Sequence, residues 1–255
     1  MDKLFKANLI IKTIINFPSA FLDKLGILKG ELVYKIRGKN IRFIARAGTE
    51  DMAEIVVVAS GFEYDLNSIK LPIEPVIVDL GGHIGSVSVF MARMLKDKCK
   101  IYTFEPDKEN YEILVRNIVL NRIHSIFPKS IAISDYVGKG YLKTEQMNTD
   151  AYYLDQSEKN FNCQVSTLPK ELKKKKVKKI DLLKMDIEGG EYKIFLHKQS
   201  FDYIQKTVHY IFMEYHDIDA YYNYSLIKKK LERNFRVLNK HANIITLENL
   251  NWKHD

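Results

Sequence analysis

Four short stretches of the chain gather residues able to do chemistry. "KMDIEGGE" places Asp186, Glu188 and Glu191 around the Gly189-Gly190 pair, directly after an apolar run. "VDLGGHIGS" sets Asp79 ahead of Gly81, Gly82, His83 and Gly85. "YTFEPD" ends a second apolar run on Glu105, and "MEYHD" ends a third on Glu214 and His216. Carboxylates so placed can take a proton, hold a hydroxyl, ligate a hard cation or start a helix. Asp186 suits the orientation of an acceptor hydroxyl or the removal of its proton. An imidazole titrates near neutrality, which suits His216 to a base role supported by Glu214, with packing or hydrogen bonding as its competing role. Were a magnesium ion bound, Asp186, Glu188 and Glu214 would be its ligands. Their spacing is not diagnostic of a metal, so the expectation is that none is required. Glu191, three residues after Glu188, fits a helix start and reads as structural.

The glycine stretch narrows the ligand. Glycines admit close backbone approach, and the helix that follows offers free N–H groups. A dinucleotide fingerprint would need its first glycine where Leu80 stands, which argues against a nicotinamide oxidoreductase. Asp79 before the loop suits a cationic amino-acid moiety. Glu105, one helix later, suits both hydroxyls of a ribose. A ligand carrying both groups is S-adenosylmethionine.

These residues need strand ends to hold them. "PVIVDL", "KIYTFEP", a segment near "HSIFPKSIAIS", "KKIDLLKMD" and "TVHYIFMEYH" read as strands. "SVSVFMARMLK", "DKENYEILVRNIVLN" and "IDAYYNYSLIKKKLER" read as helices between or after them, and "FRVLNKHANIITLE" as a closing hairpin. "GKGYLKTE" and "NCQVSTLP" read as peripheral strands or loops. Strands alternating with helices predict an α/β fold with a mostly parallel sheet covered on both faces. Upstream, residues 1–28 read as helix broken at Pro18. "ELVYKIRGKNIRFIARAG" reads as a hairpin with Leu32, Tyr34 and Ile36 facing Ile41, Phe43 and Ala45, and Thr49 is placed to cap a short helix. The expected division is an N-terminal helix-and-hairpin extension over 1–70, packed on a cofactor-binding domain over 71–255.

Composition bounds the partners. The chain has 255 residues, 46% hydrophobic and 28% charged, enough for a substantial core. Its formal net charge of +8 favours anionic partners without choosing among them. The lysine run at 170–179 precedes a strand and so lies away from the ligand end of the sheet. A solvated face is its first reading and membrane or partner contact its second. Cys99 and Cys163 have no metal or disulfide spacing. No apolar stretch has membrane-span length, and the basic segment near the start reads as packed helix ahead of membrane contact. The expected location is the cytoplasm, with peripheral membrane contact through basic segments as an addition. A base-modifying nucleic-acid enzyme is disfavoured, because the turn "MDIEGG" carries no proline.

The segments "VDLGGHIGSVSVF", "YTFEPDKENYEILVRNIVLN", "IAISD", "IDLLKMDIEGGE" and "MEYH" together resemble the FkbM-type methyltransferase family, as does the lead-in "RAGTEDMAEIVVVASGFEYDL". The resemblance covers roughly residues 40–220, and "KMDIEGGE" is its most specific part. It implies a class I, Rossmann-like methyltransferase whose last strand is antiparallel. It also implies S-adenosylmethionine as cofactor and transfer to oxygen, often a hydroxyl of a sugar, glycan or glycosylated product. By that resemblance Asp79 to Gly85 hold the methionine part, Glu105 takes the ribose, and Ile131 and Ala132 border the adenine. His83 stands where family members often carry Asn. The rival readings are RNA ribose methylation and a non-catalytic cofactor-binding scaffold.

Overall fold

The computed structural model describes residues 3–61, 64, 66–144, 152–155, 161–218, 221 and 223–252. Residues 62, 63 and 65 of the lead-in lie outside them, as do 219, 220 and 222 of the last expected helix.

Helices α1 (Lys3–Thr13) and α2 (Phe17–Lys24) meet at Asn16, so the helix breaks slightly before Pro18, which sits in the first turn of α2. Proline is tolerated there because that N–H has no helical partner to lose. Strands β1 (Glu31–Lys35) and β2 (Arg42–Arg46) pair antiparallel, Tyr34 opposite Phe43. Tyr34, Ile36, Ile41, Phe43 and Ala45 are buried, as the alternation requires. Helix α3 (Asp51–Ser60) follows, and Thr49 Oγ1 accepts the Asp51 N–H at 3.2 Å.

The core alternates strand and helix: β3 (Val76–Leu80), α4 (Ser86–Met94), β4 (Lys100–Phe104), α5 (Lys108–Leu120) and β5 (Ile126–Lys129). Four strands then form a separate small sheet: β6 (Ala132–Ser134), β7 (Gly138–Thr144), β8 (Tyr152–Asp155) and β9 (Cys163–Thr167), in the order β6-β9-β7-β8. The segment expected as one third strand is thus two, split at Ser130, its halves serving different sheets. After α6 (Leu168–Lys174) come β10 (Ile180–Met185), α7 (Gly190–Leu196), α8 (Lys198–Thr207) and β11 (Val208–Glu214). Helix α9 (Tyr224–Glu232) and strands β12 (Phe235–His241) and β13 (Ile244–Asn249) close the fold. Helix α9 starts at Tyr224, where Asn223 accepts the Ser225 N–H and Asp217 accepts the Tyr224 N–H.

The main sheet has seven strands in the order β12-β13-β11-β10-β3-β4-β5. Strands β3, β4, β5, β10 and β11 are parallel, and β13 runs antiparallel to both β11 and β12. This mostly parallel sheet with one reversed strand is the architecture the resemblance implied. Alternate residues feed opposite apolar layers. Ile77, Leu182 and Phe212 pack with α3, α4, α5 and the hairpin, whereas Val78, Leu183 and Ile211 pack with α6 to α9.

Two asparagines one turn apart, Asn117 on α5 and Asn121 at its C-terminal cap, dock the hairpin. Asn117 Oδ1 accepts the Ile44 N–H at 2.7 Å, and its Nδ2 donates to the carbonyls of Ile44 and Ile84. Asn121 repeats the pattern on the N–H and carbonyl of Arg42. Their amides stand in for a third strand along the β2 edge, satisfying backbone groups that burial would otherwise leave unpaired.

Candidate active site

The carboxyl ends of β3, β4, β10 and β11 border a cavity of about 600 Å³, where open parallel sheets place their ligands. Gly81, His83, Glu105, Ile131, Ala132 and Asp186 line it, and so do Glu188, Glu214 and His216. Asp79, Gly82 and Gly85 do not.

The glycines serve a different close approach from the one expected. Gly81 has φ +77°, and a Cβ there would stand 1.8 Å from the Asp186 carbonyl oxygen. A Cβ on Gly82 would stand 2.3 Å from Thr103 Cγ2. The loop therefore lies flat on the ends of β10 and β4, chain against chain. Asp79 is enclosed behind it. Ser88 Oγ donates to its Oδ2 at 2.5 Å, and Lys184 Nζ lies 3.5 Å from Oδ1. The β3–β10 register places Lys184 beside Asp79 on one face of the sheet. Lys184 Nζ also donates to the Gly81 carbonyl at 2.7 Å and lies 3.6 Å from Asp186 Oδ2. Asp79 thus faces Lys184 and is not among the residues that line the cavity.

His83, with φ +45°, is buried between acids of α3. Its Nδ1 is bonded to Glu54, and its Nε2 lies 3.2 Å from Asp51 Oδ1. Arg46 grips Asp51 with two bonds and donates to Asn110 Oδ1 at 2.7 Å. Burial would lower the imidazole pKa, but the Glu54 charge and the bonds to Asp51 and Glu54 raise it well above the ordinary histidine value. His83 is an imidazolium that clamps the glycine loop to α3, and its backbone N–H donates to Glu105 Oε2 at 2.7 Å.

Glu105 accepts a second bond, from the Asp107 N–H to Oε1 at 2.9 Å. Burial pushes its pKa up to about 7, against the His83 charge and the two backbone donors, which pull it down.

Across the cavity, His216 is surrounded by acids. Its Nε2 lies 3.5 Å from Glu188 Oε2 and 3.8 Å from both Asp186 Oδ1 and Glu214 Oε1. Its Nδ1 lies 3.5 Å from Glu191 Oε1. Burial opposes protonation, but Glu191 first, then Asp186 and Glu188, push the pKa up to about 10. The imidazole expected to titrate near neutrality is held protonated by its neighbours, and a protonated ring does not take a proton. Glu191 is fully buried, and its Oε1 also accepts the Ile187 N–H at 2.9 Å. It steadies the turn as expected and in addition holds His216. Oxygen and nitrogen atoms of Asp186, Glu188 and His216 lie within 4.8 Å of one another and can hold a metal ion. Among the described residues Glu214, an expected third ligand, is outside that group; the Asn243 amide donates to its carboxylate at 2.8 Å.

The lysine run lies where expected, exposed on the outer face of α6 and on the loop entering the amino end of β10. Lys184 went unnoticed in the sequence, although a lysine inside a strand buried on both faces is a legible signal for a paired charge. Asp51, Glu54 and Arg46 carry no such signal, because only the docking of α3 brings them to the loop.

A profile described as "Methyltransferase FkbM domain" matches residues 79–247. Among solved structures, a methyltransferase FkbM from Methylobacillus flagellatus KT is 13% identical with a TM-score of 0.49, over 77% of this chain and 53% of that one. The chain therefore spans about half the length of that relative. A precorrin-6y C5,15-methyltransferase from Geobacter metallireducens GS-15 is 12% identical with a TM-score of 0.45, over 80% of this chain and 89% of that one. TYW2 of M. jannaschii, solved in complex with AdoMet, is 14% identical with a TM-score of 0.40, over 88% of each chain. Likenesses this distant assign no activity. No curated protein matches the sequence.

Proposed function

The chain belongs to the FkbM methyltransferase family, and from that premise we propose that it transfers a methyl group from S-adenosylmethionine to a hydroxyl of a sugar, a glycan or a glycosylated small molecule. Glu105 carries the cofactor part of this reading. Each of its oxygens accepts one backbone N–H and keeps a second lone-pair direction for a ligand hydroxyl. Ile131 and Ala132 give an apolar wall beside it for a flat base, and Gly81 and His83 line the loop side. A cavity of about 600 Å³ suits a cofactor with part of an acceptor.

Bound there, S-adenosylmethionine supplies a methyl group already activated on sulfonium. The protein's main task is then placement, which in favourable cases supplies about 7–11 kcal/mol, with about 10²–10⁴-fold more from a base. Asp186 orients the acceptor hydroxyl and takes its proton at a carboxylate oxygen. His216, as imidazolium, holds Asp186, Glu188 and Glu214 in place by its charge. Lys184 ties Asp186 to the glycine loop, so acceptor side and cofactor side move as one body. Because His216 already brings positive charge to these acids, the reaction is proposed to run without a metal.

The test is incubation with labelled S-adenosylmethionine and a glycan or lipid-glycan extract, followed by mass spectrometry. Label on a sugar oxygen supports the reading. Label on RNA ribose alone, lost steeply with salt, would replace it with RNA methylation. Complete loss of transfer in EDTA, restored by magnesium, would overturn the metal-free mechanism.

A further inference from the structure

The N-terminal helices have an apolar face on each side. On α1 and just after it, Ile10, Thr13 and Ile14 are buried against the domain. Leu4 and Ile11, two turns apart on α1, and Ile15, just after it, are exposed. On α2 and just after it, Leu22, Leu25 and Ile27 are also exposed, Leu25 by 71%. Ile15 leads on to the hairpin. The Ile15 N–H donates to the Lys35 carbonyl, and the Asn16 side chain bonds the Val33 carbonyl and the Lys35 N–H. Val33 and Lys35 lie on the exposed face of β1. Isolated exposed apolar residues are ordinary, but the exposed residues joined here from the end of α1 to β1, with further exposed aliphatics on α2, are of the kind that marks a contact surface.

The charge of this segment is mainly positive. Lys6, Lys12, Lys24, Lys29 and Lys35 are exposed. The acids of residues 3–47 are Asp23 and Glu31. Asp23 is buried under bonds from Tyr34 and Gly48, and Glu31 is paired with Arg116. We propose that this face docks on an anionic lipid surface. Its aliphatic side chains enter the headgroup boundary and its lysines meet the lipid charge. A second copy is the poorer occupant, because a two-fold contact would set this lysine ring against its own image.

Flotation of the full chain with phosphatidylcholine vesicles, with and without phosphatidylglycerol, tests the proposal. Binding is expected to the anionic vesicles only and to weaken in high salt. Ile11→Asp with Ile15→Asp, and separately Lys6→Glu with Lys12→Glu, are each expected to weaken it about tenfold or more, roughly 1.4 kcal/mol. Both pairs are solvent-exposed, so melting temperature and cofactor affinity are expected to hold. No flotation of the wild type, or flotation unchanged by both pairs, would overturn the proposal. So would a wild-type dimer in light scattering that Ile11→Asp with Ile15→Asp splits, since the face would then be a self-interface.

Discussion

Burial holds Glu105 near a pKa of about 7, so around neutrality it is part carboxylate and part acid. A ribose diol donates two hydrogen bonds, and only the ionised form accepts both without losing a lone pair to its own proton. Affinity for S-adenosylhomocysteine is therefore expected to weaken as pH falls below about 7, by up to about tenfold per unit. Titration calorimetry across that range checks it. His216 works in the opposite sense. Its pKa is raised from the ordinary value to about 10, so the stability it contributes is complete below about pH 6.5 and lost as pH rises toward 10. His216→Ala is expected to destabilise the fold near neutrality, with a difference from wild type that shrinks by about pH 10 in urea denaturation. It is also expected to slow transfer while sparing cofactor affinity; wild-type turnover would remove the imidazolium from the mechanism. Glu105 and Asp186 were legible because each closes an apolar run. The state of His216 was not, because its pKa depends on Glu191 and Glu188 arriving from the turn after β10, which strand pairing alone brings within 3.5 Å.

The elements that matter most to the site are held by groups whose partners are far away in sequence. Asn117 sits on the buried face of α5 and bonds Ile44, 73 residues earlier. Asn117→Ala would leave the Ile44 N–H and two carbonyls unpaired, at a cost of about 1–3 kcal/mol for a buried polar group so stranded. Urea unfolding checks that figure. Through α3 the same hairpin side of the molecule carries Asp51 and Glu54 to His83, so loosening it is expected to weaken cofactor binding as well. Periodicity exposed α4, α5, α9 and the hairpin, because their signal is local, but not α6 or α8. It did not separate β5 from β6, since "IF" and "IAI" carry similar apolar patterns on either side of a short polar break, and only pairing shows that Ile126–Lys129 joins β4 while Ala132–Ser134 joins β9. Nor did it show that the loop glycines are set by contacts with Asp186 and Thr103, which no local pattern records.

At the scale of the whole molecule, charge is sorted by position. A chain of net charge +8 gathers Asp186, Glu188, Glu191 and Glu214 around one histidine at the carboxyl end of its sheet, and its lysine run lies at the amino end. Transfer to a neutral glycan is expected to vary little with salt, unlike the steep slope of phosphate-bound substrates. The reversed β13 followed from the family resemblance, whereas the alternation of strand and helix patterns alone reached only an α/β fold with a mostly parallel sheet. The most direct single measurement is calorimetric titration of the full chain with S-adenosylhomocysteine, wild type beside Glu105→Ala. One equivalent is expected to bind the wild type, with affinity reduced about tenfold or more in the variant, as loss of hydrogen bonds to a charged group implies, when both proteins are titrated below the melting transition that the stranded His83 and Asp107 N–H groups lower. No binding to the wild type, or equal affinity in the two proteins, would contradict the assignment of this cavity and of Glu105 to the cofactor.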